Sequence, residues 1–172
     1  MIRQATLDDL DQIWQLRLNT KKLLNERGID QWQFDAPNKK RFIKDIQNET
    51  FFVYEKNQQV ISMMYLQLEE EKTYQSIDGA WAKNMLYVTI HRFAVDKSYL
   101  GQGIAKDMLA FAKSFTLNQN RSYIRIDTHE NNRQAINLFL SQGFQFRGKI
   151  MLNIEQGDRM RLAYDLCIGE KT

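Results

Sequence analysis

The chain has 172 residues, a length that suits one domain and is enough for a substantial core. Hydrophobic residues make up 43% and charged residues 26%, the balance of an ordinary soluble protein, and a net charge of +3 without a long basic run argues against a nucleic-acid binder. One proline, a single cysteine (Cys167) and no long apolar run exclude linker-rich, disulfide-stapled, cysteine-metal and membrane-spanning classes.

Residues 2–5 read as a short first strand. Thr6 caps the helix that follows, with Asp8 and Asp9 in its first turn, where carboxylates favour the positive end of the helix dipole. Leu10, Ile13, Trp14 and Leu18 mark the buried side of this helix, and Gly28 is its stop. The first ten residues carry acids and lack a signal-type apolar core, so a cytoplasmic location is the simplest reading. A second helix starts after Pro37, with Phe42, Ile43 and Ile46 inward. Between the helices, Trp32 and Phe34 read as aromatic anchors of a loop. Residues 50–56 and 59–68 are strands joined at Asn57-Gln58, a hairpin. Glu69, Glu70 and Glu71 then open a polar stretch to Lys83, read as solvated surface or as an electronegative rim that draws a cationic amine by its field. Trp81 within it is a core anchor or a lid residue.

Residues 86–95 form a strand rich in β-branched, aromatic and aliphatic side chains. The chain breaks over Asp96-Lys97-Ser98, turns at Gly101 and Gly103, and continues as a helix whose Ile104, Met108, Phe111, Ala112 and Phe115 face a core. A glycine-rich turn opening a helix leaves backbone N–H groups unpaired at the positive end of the dipole, so a phosphate or pyrophosphate fits there. Taken alone, Gly101-Gln102-Gly103 also suits an ordinary strand-to-helix turn. A Walker A loop is excluded, because Gly103-Ile104-Ala105-Lys106 stands where Gly-Lys-Ser/Thr is needed. A dinucleotide fingerprint is excluded by the five residues between Val95 and Gly101, and by Lys106 at the third glycine position.

Residues 123–128 alternate as a strand. Asn131 and Asn132 start a helix, Ala135, Ile136, Leu138, Phe139 and Leu140 supply its apolar run, and Gly143 stops it. Residues 144–154 and 159–167 flank Gln156-Gly157 as a terminal antiparallel hairpin, whose outer edge could pair with a second subunit in a homodimer. The summed order is β-α-α-β-β-β-α-β-α-β-β.

The glycine turn and the Asn132 helix together resemble the GNAT superfamily of N-acetyltransferases. The family's acetyl-CoA motif is Arg/Gln-x-x-Gly-x-Gly/Ala. Leu100, Gly101, Gln102, Gly103, Ile104 and Ala105 match it at Gly103 and Ala105 and depart at Leu100. The second signature, Asn-x-x-Ala, then an aromatic, then Gly-Phe, is met by Asn132, Ala135, Phe139, Gly143 and Phe144. Phe139 stands where many members carry a tyrosine. The resemblance covers nearly the whole chain in element order. It implies an α/β (α+β) domain over residues 1–172, with a mixed, mostly antiparallel central sheet and helices on both faces. It also implies a gap between the strand ending at Val95 and the strand from Tyr123, which the coenzyme arm enters.

On the same resemblance, the chain moves an acetyl group from acetyl-CoA to a primary amine by direct attack in a ternary complex. Backbone N–H groups of Leu100, Gly101, Gln102, Gly103, Ile104 and Ala105 bind the pyrophosphate, and Phe93, Ala94 and Val95 pair with the pantetheine arm. Lys106 adds charge near a phosphate or is simply solvated. Asn132 hydrogen-bonds the arm, caps its helix, or does both. Trp32 and Phe34 fall where the family builds a wall of the acceptor site. His91 is a candidate base, its ordinary pKa being ~6.5, with a structural histidine as the alternative. Glu69, Glu70, Glu71 and Asp78 are weaker candidates. The Ala94 N–H serves the oxyanion. Because Phe139 has no proton to donate, the acid falls to water, Tyr99 or Tyr164. The same phenylalanine supports the rival reading, a catalytically silent acyl-CoA-binding module. No metal is implied.

Overall fold

In the computed structural model, which describes residues 1–34 and 36–169, Asn57 and Gln58 both take left-handed backbone angles, with φ of 52° and 62°. That is the primed turn whose twist matches its strands, and it joins β2 (Phe51–Lys56) to β3 (Gln59–Gln67), as the sequence predicts. These strands belong to the first of two units into which the chain divides, Met1–Leu66 with His91–Met108. β1 (Ile2–Gln4) pairs antiparallel with β2 through Arg3↔Val53. On the other side of β3 runs the end of β5 (Val88–Val95): Ser62 Oγ donates to the Ala94 carbonyl at 2.7 Å, and the Asp96 N–H to the Ile61 carbonyl at 2.8 Å.

Helices α1 (Leu10–Glu26) and α2 (Lys39–Gln47) bury Ile13, Leu16, Phe42 and Ile46 with Phe51, Val53, Met63 and Tyr65 of the strands. An aromatic chain runs through this core. Phe42 meets Trp14 and Phe51 edge-on, at 6.2 and 6.0 Å, and Phe51 stacks on Tyr65 at 6.4 Å. Each such pair adds about 0.5–1.5 kcal/mol beyond its buried area. Leu18, expected inside, is exposed. Arg17 is buried in its place, because its guanidinium donates to the carbonyls of Trp32, Phe34 and Pro37 and so ties down the loop before α2.

Asp9, just before α1, is also buried. Its carboxylate accepts from both Nη atoms of Arg3, each at 2.7 Å, and from the Thr6 N–H at 2.8 Å. The Arg3 hydrogen bond is the main cause that holds Asp9 below the ordinary carboxylate range. A carboxyl depressed in the folded state contributes stability above its unfolded pKa, ~3.9, and loses it as pH falls through the folded value. Asp9→Asn is therefore expected to cost about 1.5–3 kcal/mol at neutral pH. Denaturant melts should show the gap from wild type closing in strong acid; a gap independent of pH would contradict this role.

The second unit comprises Gln67–Ile90 and the chain from Leu109 onward. β6 (Tyr123–Thr128) runs parallel to the start of β5, with Val88↔Ile124 and Thr89↔Arg125. β8 (Met160–Cys167) pairs antiparallel with β6 and with β7 (Gln145–Met151). One strand, β4 (Ile77–Gly79), lies in the polar stretch before Lys83, where the sequence predicts none, and it pairs antiparallel with β7. Three residues are too few to show a period. What admits them is Gly79 opposite Gly148: a Cβ on either would come within 2.1 or 2.2 Å of a carbonyl oxygen of the other strand. β4 therefore pairs with Gly148, Lys149 and Ile150 on the hairpin edge that the sequence offers to a second subunit.

Tyr74, Tyr87, Tyr123, Ile150 and Ala163 form one buried cluster of this unit. Trp81 is an anchor of it: its Nε1 donates to the Tyr74 carbonyl at 2.9 Å. The buried Arg125 guanidinium lies over the rings of Trp81 (4.3 Å), Tyr87 (4.0 Å) and Tyr123 (5.1 Å). Helices α3 (Ile104–Asn118) and α4 (Arg133–Ser141) begin at the turns singled out in the sequence. The described residues thus form a mixed α/β fold of eight strands, mostly antiparallel, and four α-helices. No helix among them is long and apolar enough to cross a membrane, and no group of three or more His, Cys, Asp or Glu could hold a metal.

Candidate functional site

In the first unit, a break in β5 sets the site. Arg92 has φ of 48°, a left-handed angle that costs a side-chain-bearing residue of order 1–3 kcal/mol. The alternation of sides fails there, so consecutive residues reach one ring. His91 stacks on Tyr65 at 6.4 Å and 20°, and the Arg92 guanidinium lies 5.4 Å from the same ring. Arg92 Nε is 2.9 Å from Asp45 Oδ2, an ion contact off the hydrogen-bond line, and Arg41 Nε donates to Asp45 Oδ1 at 2.9 Å. Burial pushes the Asp45 carboxyl up, against the pull of Arg92, Arg41 and His91. Sequence reading missed Asp45. Its signal was a charge inside the apolar stripe of Phe42 and Ile46.

Beyond the break, the Ala94 carbonyl is used by Ser62, while Phe93 and Val95 are half-buried. The parallel register between β5 and β6 comprises two residue pairs and stops at Thr89↔Arg125. Asp96 Oδ1 then accepts from the Ser98 N–H at 2.9 Å, which starts the single 3-10 turn Lys97–Tyr99. The half-buried Tyr99 ring carries the Lys56 ammonium 5.1 Å from its centre.

The glycine turn follows. Gly101 and Gly103 have φ of 77° and 86°, angles at which a side chain is strained. A Cβ built on either meets nothing within 4 Å, so open space lies over both. Leu100, Gly101, Gln102, Gly103 and Lys106 are exposed, Ala105 is half-buried, and Ile104 anchors the helix in the core. The first helical bond is the Asp107 N–H to the Gly103 carbonyl at 3.0 Å. The N–H groups of Ile104, Ala105 and Lys106 precede it and have no partner in the helix. Lys106 makes no ion pair among the described residues. Exposed donors, the positive helix end and open space suit a pyrophosphate. In the loop before α2, Trp32 is half-buried against the first core and Phe34 is 44% exposed.

The remaining candidates lie in the second unit. His129 is buried, and its Nδ1 accepts from the Asn131 N–H at 3.1 Å. That leaves the proton on Nε2, which donates to Asp158 Oδ2 at 3.1 Å. The pair fixes the turn into α4. Asn132 caps that helix through Oδ1, which accepts from the Ala135 N–H at 3.3 Å, and its Nδ2 donor has no partner among the described residues. Phe139 is buried and packs against Phe144 and Tyr164, both at 5.8 Å.

Residues 11–144 match the model of the Acetyltransferase (GNAT) family. A GNAT-family acetyltransferase from Streptococcus agalactiae, known from its crystal structure, is 30% identical, with a TM-score of 0.86 and coverage of 99% of this chain and 96% of that one. The PaiA N-acetyltransferase of Thermoplasma acidophilum, solved in complex with coenzyme A, shares the fold at 16% identity and a TM-score of 0.72, over 97% of this chain and 98% of that one. The uncharacterized N-acetyltransferase YesJ of Bacillus subtilis is 24% identical over 149 residues, which are 84% of this chain and 81% of that protein.

Proposed function

The chain belongs to the acetyltransferase (GNAT) family, and on that premise we propose that it transfers the acetyl group of acetyl-CoA to a primary amine by direct attack in a ternary complex. The observation that carries this reading is the turn at Gly101 and Gly103, where positive φ angles, open space and the first N–H groups of α3 come together. There the backbone of residues 100–105 holds the pyrophosphate and Lys106 adds charge. The main chain of Phe93, Ala94 and Val95 pairs with the pantetheine arm, and Asn132 Nδ2 donates to it.

The amine must be neutral to attack. With an ordinary pKa of ~10.4, stripping its proton at pH 7 costs roughly 4–5 kcal/mol. His91, held against Tyr65, is the base that receives that proton directly or through water. The Ala94 N–H faces the developing oxyanion. Trp32 and Phe34, on the loop tied by Arg17, form an apolar wall for the acceptor. Direct attack requires intersecting initial-rate lines when acetyl-CoA and amine are both varied. It also requires that no acetyl group remain on the protein after incubation with acetyl-CoA alone. Parallel lines with acetylated Cys167 would overturn direct attack. The silent acyl-CoA-binding module has one observation in its favour, the absence of a hydroxyl on Phe139.

Asn132 separates binding from capping. Loss of a cap costs ~1 kcal/mol of stability and leaves the affinity of the folded protein nearly unchanged. If Nδ2 holds the arm, Asn132→Ala should weaken acetyl-CoA binding by about 2- to 10-fold, since a neutral hydrogen bond contributes ~0.5–1.5 kcal/mol. Titration calorimetry measures this. Unchanged affinity in a mildly destabilised variant would leave Asn132 with capping alone.

A further inference from the structure

We propose that Tyr164 is the acid of the transfer, giving its phenol proton to the coenzyme's sulfur as the carbon–sulfur bond breaks, the task for which Phe139 has no proton. This inference rests on the acetyl-transfer reading. Its ground is a contrast among buried tyrosines. Tyr74 donates to Asp127 and Tyr123 to Asp165, while Tyr65 accepts from Asn48 and Tyr87 from the Glu71 N–H. Buried tyrosine hydroxyls ordinarily find such partners. Tyr164 is only 3% exposed, yet its hydroxyl has no hydrogen-bond partner among the described residues.

The ring itself is fixed. On β8 it stands opposite Ile126 of β6 and Phe146 of β7. It meets Phe139 edge-on at 5.8 Å and 65°, and Phe146 at 5.7 Å and 64°. A ring held on both sides, whose hydroxyl has no partner among the described residues, is poised to bond a visiting atom. Two further facts favour the coenzyme's sulfur as that atom. Tyr164 packs on Phe139, where many GNAT members carry their tyrosine. Its hydroxyl also feels the charge of Arg133, the first residue of α4 and the neighbour of Asn132. Burial pushes the phenol up, so it keeps its proton at neutral pH, and the Arg133 charge opposes that shift and favours a transient phenolate.

The balance closes without another reactant. The nitrogen lone pair forms the new bond to carbon, and the carbon–sulfur pair leaves on sulfur. The sulfur takes the Tyr164 proton, and the phenolate regains one from the proton that the nitrogen releases.

Tyr164→Phe removes one oxygen that bonds nothing among the described residues, so its melting temperature should match wild type. Its kcat should fall about 10- to 100-fold, toward the low end for an acid catalyst because a thiol leaves readily, with the KM for acetyl-CoA unchanged. Adding Phe139→Tyr should recover activity by supplying a hydroxyl beside the lost one. Binding gives a readout without turnover. Near pH 9.5 most free CoA is thiolate, its thiol pKa being ~8.5. A hydrogen bond to that charge should make CoA bind wild type roughly tenfold or more tighter than Tyr164→Phe, while acetyl-CoA binds both alike. Equal kcat together with equal thiolate affinity overturns the acid role alone. A wild type that does not bind CoA, or that turns over no amine, overturns the transfer reading and this inference with it.

Discussion

Saturating CoA is expected to raise the melting temperature of the wild type and to leave that of Gly103→Glu unmoved. Ligand at 100 times its Kd contributes about 2.7 kcal/mol by linkage. For a chain of this size that is roughly 5–11 °C. The loss in the variant has two causes. Glutamate at φ of 86° is strained, and its carboxylate enters the open space over the turn where phosphate charge is to sit. Gly103→Ala separates them, because it carries the strain without the charge and should keep part of the rise. Thermal melts with and without millimolar CoA decide the matter. A wild type that CoA does not shift would remove the phosphate reading of the turn. A full shift in Gly103→Glu would move the phosphate elsewhere.

The second large effect lies behind the hairpin. Asp165 is 1% exposed and accepts from the Tyr123 hydroxyl, from the Ala82 N–H at 2.9 Å and from Arg147 Nε at 2.7 Å. Three donors from β6, the segment after β4, and β7 thus meet on one carboxylate. The Tyr123 phenol, buried and donating to that charge, is pushed up to about 12 and stays protonated. Asp165→Ala removes the acceptor of the Tyr123 O–H, the Ala82 N–H and Arg147 Nε, and leaves a partly buried guanidinium without its carboxylate. Removing one partner of such a network costs about 3–5 kcal/mol. That is roughly 6–20 °C in melting temperature for this size. Asp165→Asn keeps one acceptor oxygen and should lose less. Denaturant melts yielding under 1 kcal/mol for Asp165→Ala would mean that water replaces the carboxylate. Because Tyr164 neighbours Asp165 on β8, the acid role is best tested with Asp165 intact.

Local chemistry was legible in the sequence and long-range polar pairing was not. The Asn57-Gln58 hairpin, the cap at Asn132 and the turn at Gly101 and Gly103 all depend on backbone preferences carried by a few adjacent residues, and each stands where the sequence places it. Reading apolar residues as inside worked for Ile13, Phe42 and Ile46. It failed at Arg17, Asp45 and Asp165, because a buried charge is stable only through partners distant in sequence. Arg17 shows the consequence most plainly: choosing Leu18 for the inner face turned that stripe by one residue. β4 escaped for a different reason, since two facing glycines rather than any hydrophobic pattern admit it. At the site, Phe139 was readable as a departure from the family motif. That Tyr164 packs on it depends on the β6-β8-β7 register, which no local pattern carries.

Steady-state thiol release from acetyl-CoA, measured across a panel of peptide amino termini, lysine peptides, polyamines, aminoglycosides and small amino acids, tests the central claim most directly. An acetyltransferase of this kind releases thiol saturably with at least one amine, in step with formation of the acetylated amine. Tight binding of CoA without amine-dependent thiol release for any member of the panel would contradict it and leave a silent acyl-CoA-binding module.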